Sequence, residues 1–287
     1  MKHFFVIVNL DKQYAEETAE HVKNYLETAG CTCVISGTNG RRYDSNGKAR
    51  RFTSARSVPK RTECVITIGG DGTVIRAARD LVGRELPLFG INRGNLGFLT
   101  QISREEDLEP ALDALMEDRF IIQRRTMLHG TIYRNGEKAE ENIALNDIVL
   151  NHANGEELHF TIRLNGKPFN DYAADGMIVC TATGSTAYNL SAGGPIAAPD
   201  SSSIILTPIC PHTLNTRSLI LPKNSRVELE MSTDRETRQI LFFDGDRAGS
   251  FTAGDVAVIE RSEMTTPIIQ LSEEPFLEKI RRTLKQI

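Results

Sequence analysis

The sequence predicts an α/β N-terminal domain on a parallel sheet, then a mostly β domain of layered sheets, with a C-terminal helix returning to the first domain. Three observations predict it. Up to about residue 120, β-branched apolar runs alternate with stretches of helical apolar spacing. Beyond it, strand-like runs follow one another, and Asn135-Gly136 and Asn165-Gly166 sit between them as hairpin signals. From Glu274 the spacing is helical again, with Phe276, Leu277, Ile280 and Leu284 on one face. The expected domains are 1–120, joined by the helix 274–287, and 121–273.

Each element follows in order. Residues 3–8 read as a first strand: the run Phe4 to Val8 is too short for a signal peptide or a membrane span, and Asn9 and Asp11 follow it. An amphipathic helix is expected over 12–28 and a strand over 31–35, which takes in Cys31-Thr32-Cys33. Residues 40–61 hold eight Lys or Arg and one acid among Gly, Ser and Pro. They read as a solvated loop, or as a basic lid over polyphosphate worked by Arg41, Arg42, Arg50 and Arg51. A strand at 63–68, a helix at 74–82, a strand at 86–91 and a helix at about 104–117 complete the alternation. In the second part Val227 to Met231, Ile240 to Phe243, Val256 to Ile259 and Ile268 to Leu271 read as strands.

The bulk numbers exclude several classes. At 287 residues the chain can form two domains, and its net charge of −4 gives no basic field for nucleic acid. Five cysteines, without paired C-x-x-C spacing, read as reduced thiols in the cytoplasm, and six scattered histidines build no metal site of their own. No membrane association is expected.

Chemistry is concentrated at strand ends, where open parallel sheets bind ligands. Gly69-Gly70-Asp71-Gly72-Thr73 lies between the strand Cys64-Val65-Ile66-Thr67-Ile68 and the helix that follows. Its glycines let a ligand approach the main chain, and a helix N-terminus favours a phosphate. Asp71 would repel that phosphate unless a metal ion bridges them or the carboxylate has a chemical task. The turn is not a Rossmann fingerprint, since Ile75 stands where the third glycine belongs, and no P-loop pattern occurs. Asn146-Asp147, between apolar flanks, offers an amide and a carboxylate for a base edge or ribose hydroxyls, or is simply a turn. Asp175-Gly176 opens a buried strand that delivers Thr181-Ala182-Thr183-Gly184-Ser185-Thr186-Ala187-Tyr188-Asn189-Leu190-Ser191, rich in hydroxyls, and then Gly193-Gly194-Pro195. Thr186 or Ser191 could instead cap a helix. Ser185 lacks a G-x-S-x-G elbow, so a serine hydrolase is not indicated. Phe242-Phe243-Asp244-Gly245-Asp246 is either a type I′ hairpin or a polar wall, with Asp246 as its candidate site residue.

Together these segments resemble the NAD kinase family, in order and spacing: the 69–73 turn, the Asn92…Gly94…Leu96-Gly97-Phe98-Leu99 stretch, Asn146-Asp147, and Asp175 through Pro195. The first turn is shared with diacylglycerol and sphingosine kinases; the segment from Thr183 to Pro195 singles out NAD kinases. The resemblance implies a Rossmann-like parallel sheet followed by a β-rich domain. It implies phosphorylation of the adenosine ribose 2′-hydroxyl of NAD by ATP, with a divalent metal ion, Mg²⁺, on the phosphates. It also implies a homodimer or homotetramer whose sites draw on neighbouring chains. Carried over, Asp71 is the general base; Gly70, Gly72 and Asn92 belong to the phosphate-donor site, where polyphosphate is an alternative to ATP. Asp71, Gly72, Arg76, Asn146, Asp147, Asp175, Thr186, Ala187, Tyr188, Asn189, Leu190, Ser191 and Asp246 are the expected NAD contacts. The chain departs from the family in carrying Asp147 where a Glu is usual, and Ala173 where some relatives have a basic residue. A lipid kinase and a non-catalytic dinucleotide sensor are the competing readings. The first leaves residues 175–195 unexplained, and the second has no need of Asp71.

Overall fold

The computed structural model describes residues 1–38, 53–92, 97–212, 216–232, 239–248 and 251–284. Arg41, Arg42, Arg50, Arg51, Gly94 and Leu96 lie outside the described residues, and with them the expectation of a basic lid. The first elements are β1 (His3–Asn9), α1 (Ala15–Thr28), β2 (Thr32–Thr38), β3 (Cys64–Ile68), α2 (Asp71–Asp80), β4 (Leu88–Ile91) and α3 (Leu108–Met116). Then come β5 (Ile121–Arg134), β6 (Glu137–Ala144), β7 (Asp147–His152), β8 (Leu158–Leu164), β9 (Lys167–Ala174), β10 (Gly176–Cys180) and α4 (Tyr188–Ser191). The chain finishes with β11 (Ile204–Ile209), β12 (Leu219–Leu221), β13 (Val227–Met231), β14 (Gln239–Phe243), β15 (Asp246–Arg247), β16 (Val256–Gln270) and α5 (Phe276–Leu284). It forms two compact units, Met1–Arg125 with Thr265–Ile287, and Thr126–Met264.

In the first unit the strands run parallel in the order β2-β1-β3-β4, and Ile268 of β16 pairs in parallel with Leu88. Helices cover such a sheet, so its strands read as continuous apolar runs: Phe4 to Val8 and Cys64 to Ile68 are buried throughout. The helices turn their periodic apolar residues inward, Ala15, Ala19, Val22 and Leu26 from α1 and Leu108, Ala111, Leu112 and Leu115 from α3.

Two expectations for this unit are corrected. Helix α2 begins at Asp71 and not at residue 74, because extended Gly70 ends the strand and the carboxylate enters the first turn, where the helix dipole favours it. The second concerns the inner face of α5. Its buried residues are Lys279 and Thr283, while Leu277 is 76% exposed.

The second unit is antiparallel. One sheet runs β12-β11-β10-β7-β14-β15; in the other β13 lies between β8 and β16, with β9 beside β8. Their facing residues form one core, including Leu150, Met177 and Leu206 from the first and Phe160, Leu229 and Ile259 from the second. Phe160 stacks on Tyr172 with centroids 5.6 Å apart. Both Asn-Gly pairs are hairpin turns with positive φ at each residue, 52° and 80° at Asn135-Gly136 and 53° and 77° at Asn165-Gly166. The runs expected at 256–259 and 268–271 fall on the single strand β16, which ends at Gln270.

Candidate active site

The first unit presents the glycine turn at the carboxyl end of β3. Gly69 adopts φ 152°, and a Cβ there would meet Thr73 Oγ1 at 2.3 Å, so this position requires glycine. Among the described residues the space around Gly70 and Gly72 is open: none lies within 4 Å of a Cβ at Gly72, and Asn92 Nδ2, at 4.0 Å, is the one atom that approaches a Cβ at Gly70. Asp71 is fixed by the loop beyond β4. Its Oδ2 accepts from the Phe98 amide at 2.7 Å. Its Oδ1 accepts from the amides of Leu99 and Thr100, each at 3.1 Å, and from Thr100 Oγ1 at 3.3 Å. Gly97 makes that approach possible, since a Cβ at residue 97 would fall 2.0 Å from Oδ1. The carboxylate is therefore oriented, half-buried, and left with one Oδ2 lone pair for a further donor. Arg76 lies half-buried on α2.

In the second unit Asn146 and Asp147 enter β7, held by a residue the sequence reading did not select. Asp244 accepts from the amides of Leu145, Asn146 and Asp147 at 2.8, 2.8 and 3.1 Å, and its own amide donates to Asp147 O at 3.0 Å. Asp244 and Gly245, at φ 50° and 77°, form the type I′ turn between β14 and β15, while Asp246 is buried in β15. The first acid of that turn thus organises the Asn146-Asp147 bend. Asp147 is 6% exposed. Burial, and then the neighbouring Asp244 carboxylate, pushes its carboxyl up to about 7. Asn146 Oδ1 is buried with no hydrogen-bond partner among the described residues, an acceptor in want of a donor.

The hydroxyl-rich segment folds against this bend. Thr181 donates from Oγ1 to Leu145 O at 2.7 Å, and a Cβ at Gly184 would stand 2.1 Å from Asn146 O. Ser185 is fully buried, donating to Ala182 O and accepting from the Ala197 amide, so its hydroxyl is structural. Asn189 also points inward: its Nδ2 donates to Ser185 O and Pro195 O, and its Oδ1 accepts from Thr207. Thr186, Ala187, Tyr188, Leu190 and Ser191 remain partly or well exposed. The short helix α4 follows Ala187 with no side-chain cap, so neither Thr186 nor Ser191 caps its start. Asp175 is placed elsewhere. The register sets Gly176 opposite Asn151 and Cys180 opposite Asp147, so Asp175 precedes the far end of β10, a strand length of roughly 16 Å from the bend.

Sequence families match both parts of the chain, the ATP-NAD kinase N-terminal domain over residues 4–120 and the ATP-NAD kinase C-terminal domain over residues 145–271. The chain belongs to the ATP-NAD kinase family. Among its relatives, the NAD kinase of Lachnospira eligens is 38% identical over 99% of this chain and 100% of that one. That of Moorella thermoacetica is 38% identical over 100% and 90%. Among solved structures, yeast NADH kinase complexed with NADH matches with TM-score 0.85 at 23% identity, over 99% of this chain and 88% of that one. An NAD kinase from Archaeoglobus fulgidus in complex with ATP matches with TM-score 0.74 at 23% identity, over the whole of both chains. Both share the family's fold.

Among the described residues no group of three or more His, Cys, Asp or Glu is placed to hold a metal ion, and no helix is long and apolar enough to cross a membrane.

Proposed function

We infer that this chain is an NAD kinase, transferring the γ-phosphoryl group of ATP to the 2′-hydroxyl of the adenosine ribose of NAD. The observation that carries the mechanism is the Asp71 carboxylate, aimed by three amides and a hydroxyl yet retaining an open lone pair at a helix start. A ribose hydroxyl is a poor nucleophile at neutral pH. Asp71 Oδ2 accepts its proton as the new O–P bond forms and the bond to the ADP oxygen breaks. Open space at Gly70 and Gly72 suits the donor phosphates, with Asn92 beside them. The Asn146 Oδ1 orphan suits a substrate hydroxyl or amine, and Asp147 lies beside it. Thr186 to Leu190, Ser191, Arg76 and Asp246 are assigned to NAD, Asn189 through the loop it fixes. Asp175, at the other end of its strand, is assigned to the site of a neighbouring copy in a homodimer or homotetramer. Mg²⁺ arrives on the ATP phosphates as part of the donor, as a hard cation coordinated by phosphate and water does. A cytoplasmic location fits this chemistry.

The test is an assay of NADP formed from NAD, with ATP or polyphosphate as donor and with Mg²⁺ or a chelator. NADP made with ATP and lost on chelation is expected. Turnover only with diacylglycerol would make it a lipid kinase, and NAD binding without turnover a sensor. Asp71→Asn should lower kcat by about 10²–10⁴ while NAD still binds; turnover within a few-fold of the parent excludes Asp71 as the base.

A further inference from the structure

Helix α5 hides a charge where it could have hidden a leucine. Lys279 is 9% exposed and forms no ion pair with a described residue. It lines a cavity of about 660 Å³ together with Thr100, Gln101, Arg119 and Arg282. Burial, and then Arg125, pushes its ammonium down to about 8, against the pull of Glu274 and Asp71. Enclosing an unpaired ammonium costs stability. Its position gives the reason. Thr100, which walls the same cavity, donates both its amide and its hydroxyl to Asp71 Oδ1. One residue thus links the lysine's cavity to the candidate base.

The charges that face Lys279 come from several elements: Asp71 on α2, Arg125 on β5, Glu274 just before α5, and Arg282 on α5 itself. Asp107, Arg119, Glu273 and Glu278 also line the cavity. Glu274 and Arg282 pair with each other at 2.8 Å and largely cancel. Lys279 and Asp71 attract each other, while Arg125 repels Lys279.

The reaction gives Lys279 a task. A triphosphate and a dinucleotide bring strong negative potential to Asp71, and negative potential favours a protonated carboxyl. A protonated Asp71 cannot take the ribose proton. A fixed cation in the protein interior opposes this, because charges there are screened less than in water. We propose that Lys279 is a positioning residue for phosphoryl transfer, whose buried charge keeps Asp71 anionic while the substrate phosphates are bound. The inference rests on Asp71 being the general base.

The test compares the parent, Lys279→Met and Lys279→Arg in kcat against pH, with NAD and Mg–ATP saturating. In Lys279→Met the acid limb should move up by about one pH unit, a tenfold loss at the acid end that shrinks toward neutral and alkaline pH. Lys279→Arg should restore the limb, and KM for NAD should stay within about twofold in both, since neither variant alters an assigned NAD contact. Thermal melting of each variant checks folding, and the Arg variant keeps the comparison valid if the Met variant is unstable. Superimposable limbs, or a loss equal at every pH, overturn the proposal. If the parent makes no NADP, the functional reading falls and this inference with it; an active parent with an unmoved limb overturns this inference alone.

Discussion

At Asp147 burial and a neighbouring acid act in the same direction, raising its carboxyl from 3.8 to about 7. The folded state then holds a proton that the unfolded chain has released between about pH 4 and 7. The stability this contributes is complete below the unfolded value and lost as pH rises through 7. At pH 8 the ionised, buried group costs on the order of 4 kcal/mol relative to acid conditions. Asp147→Asn removes that slope: its denaturation midpoint should exceed the parent's at pH 8, with the gap narrowing toward pH 5. A gap that does not change with pH would contradict the assignment. The other residue-scale device is Gly97. An alanine Cβ there would collide with Asp71 Oδ1. Gly97→Ala should therefore lower kcat more than tenfold, through a displaced Asp71, and change KM for NAD much less; steady-state kinetics decide. Asp71 stands out in the sequence because a carboxylate in a glycine turn at a strand end needs a reason, and the structure holds it on the amides of Phe98, Leu99 and Thr100. Asp244 was not, because its partners are amides 97 to 99 residues earlier in the chain, and no local pattern announces such a pairing.

Elements were legible where local geometry decides them. Asn135-Gly136 and Asn165-Gly166 take φ values that suit Asn and Gly and few other residues, so the sequence alone marks both hairpins. Gly136→Ala, at φ 80° with no described residue within 4 Å of the new Cβ, should cost about 1 kcal/mol from backbone strain alone, readable as a lowered denaturation midpoint. Helix α5 was legible as a helix and illegible in its facing, because periodicity finds a stripe but not what meets it. Its Lys279 titrates at about 8 in place of the usual 10.5. The folded state binds fewer protons than the unfolded chain between those values, so stability rises as pH climbs from 8 toward 10.5. Below pH 8 the buried charge costs on the order of 3 kcal/mol. Chemical denaturation of Lys279→Met at pH 7 and 10 should show the variant ahead of the parent at the lower pH, with the gap closing at the higher.

At the scale of the whole molecule the change from alternating to antiparallel grammar was legible, since parallel strands buried by helices and half-buried hairpin strands carry different periodicities. The dividing points were less so. The units separate at Arg125/Thr126 and Met264/Thr265, inside the strands β5 and β16, where no Gly- or Pro-rich linker marks a boundary. The cysteines report on both units. Cys31, Cys33 and Cys64 are buried in the core of the first and Cys180 in the second, while Cys210 alone is exposed among the five. Burial also pushes the Cys33 thiol up to about 12 and raises those of Cys64 and Cys180. Thiolate is the reactive form, so enclosure protects the buried thiols, and protonation adds to it at Cys33, Cys64 and Cys180. A thiol reagent at neutral pH should therefore titrate one equivalent in the native protein, none in Cys210→Ser, and all five in strong denaturant. As denaturant is raised, mass spectrometry should find the labels on Cys31, Cys33 and Cys64 appearing together, since they share one core. Two or more fast equivalents in the native state, or labelling of Cys64 well ahead of Cys31 and Cys33, would contradict the core described here.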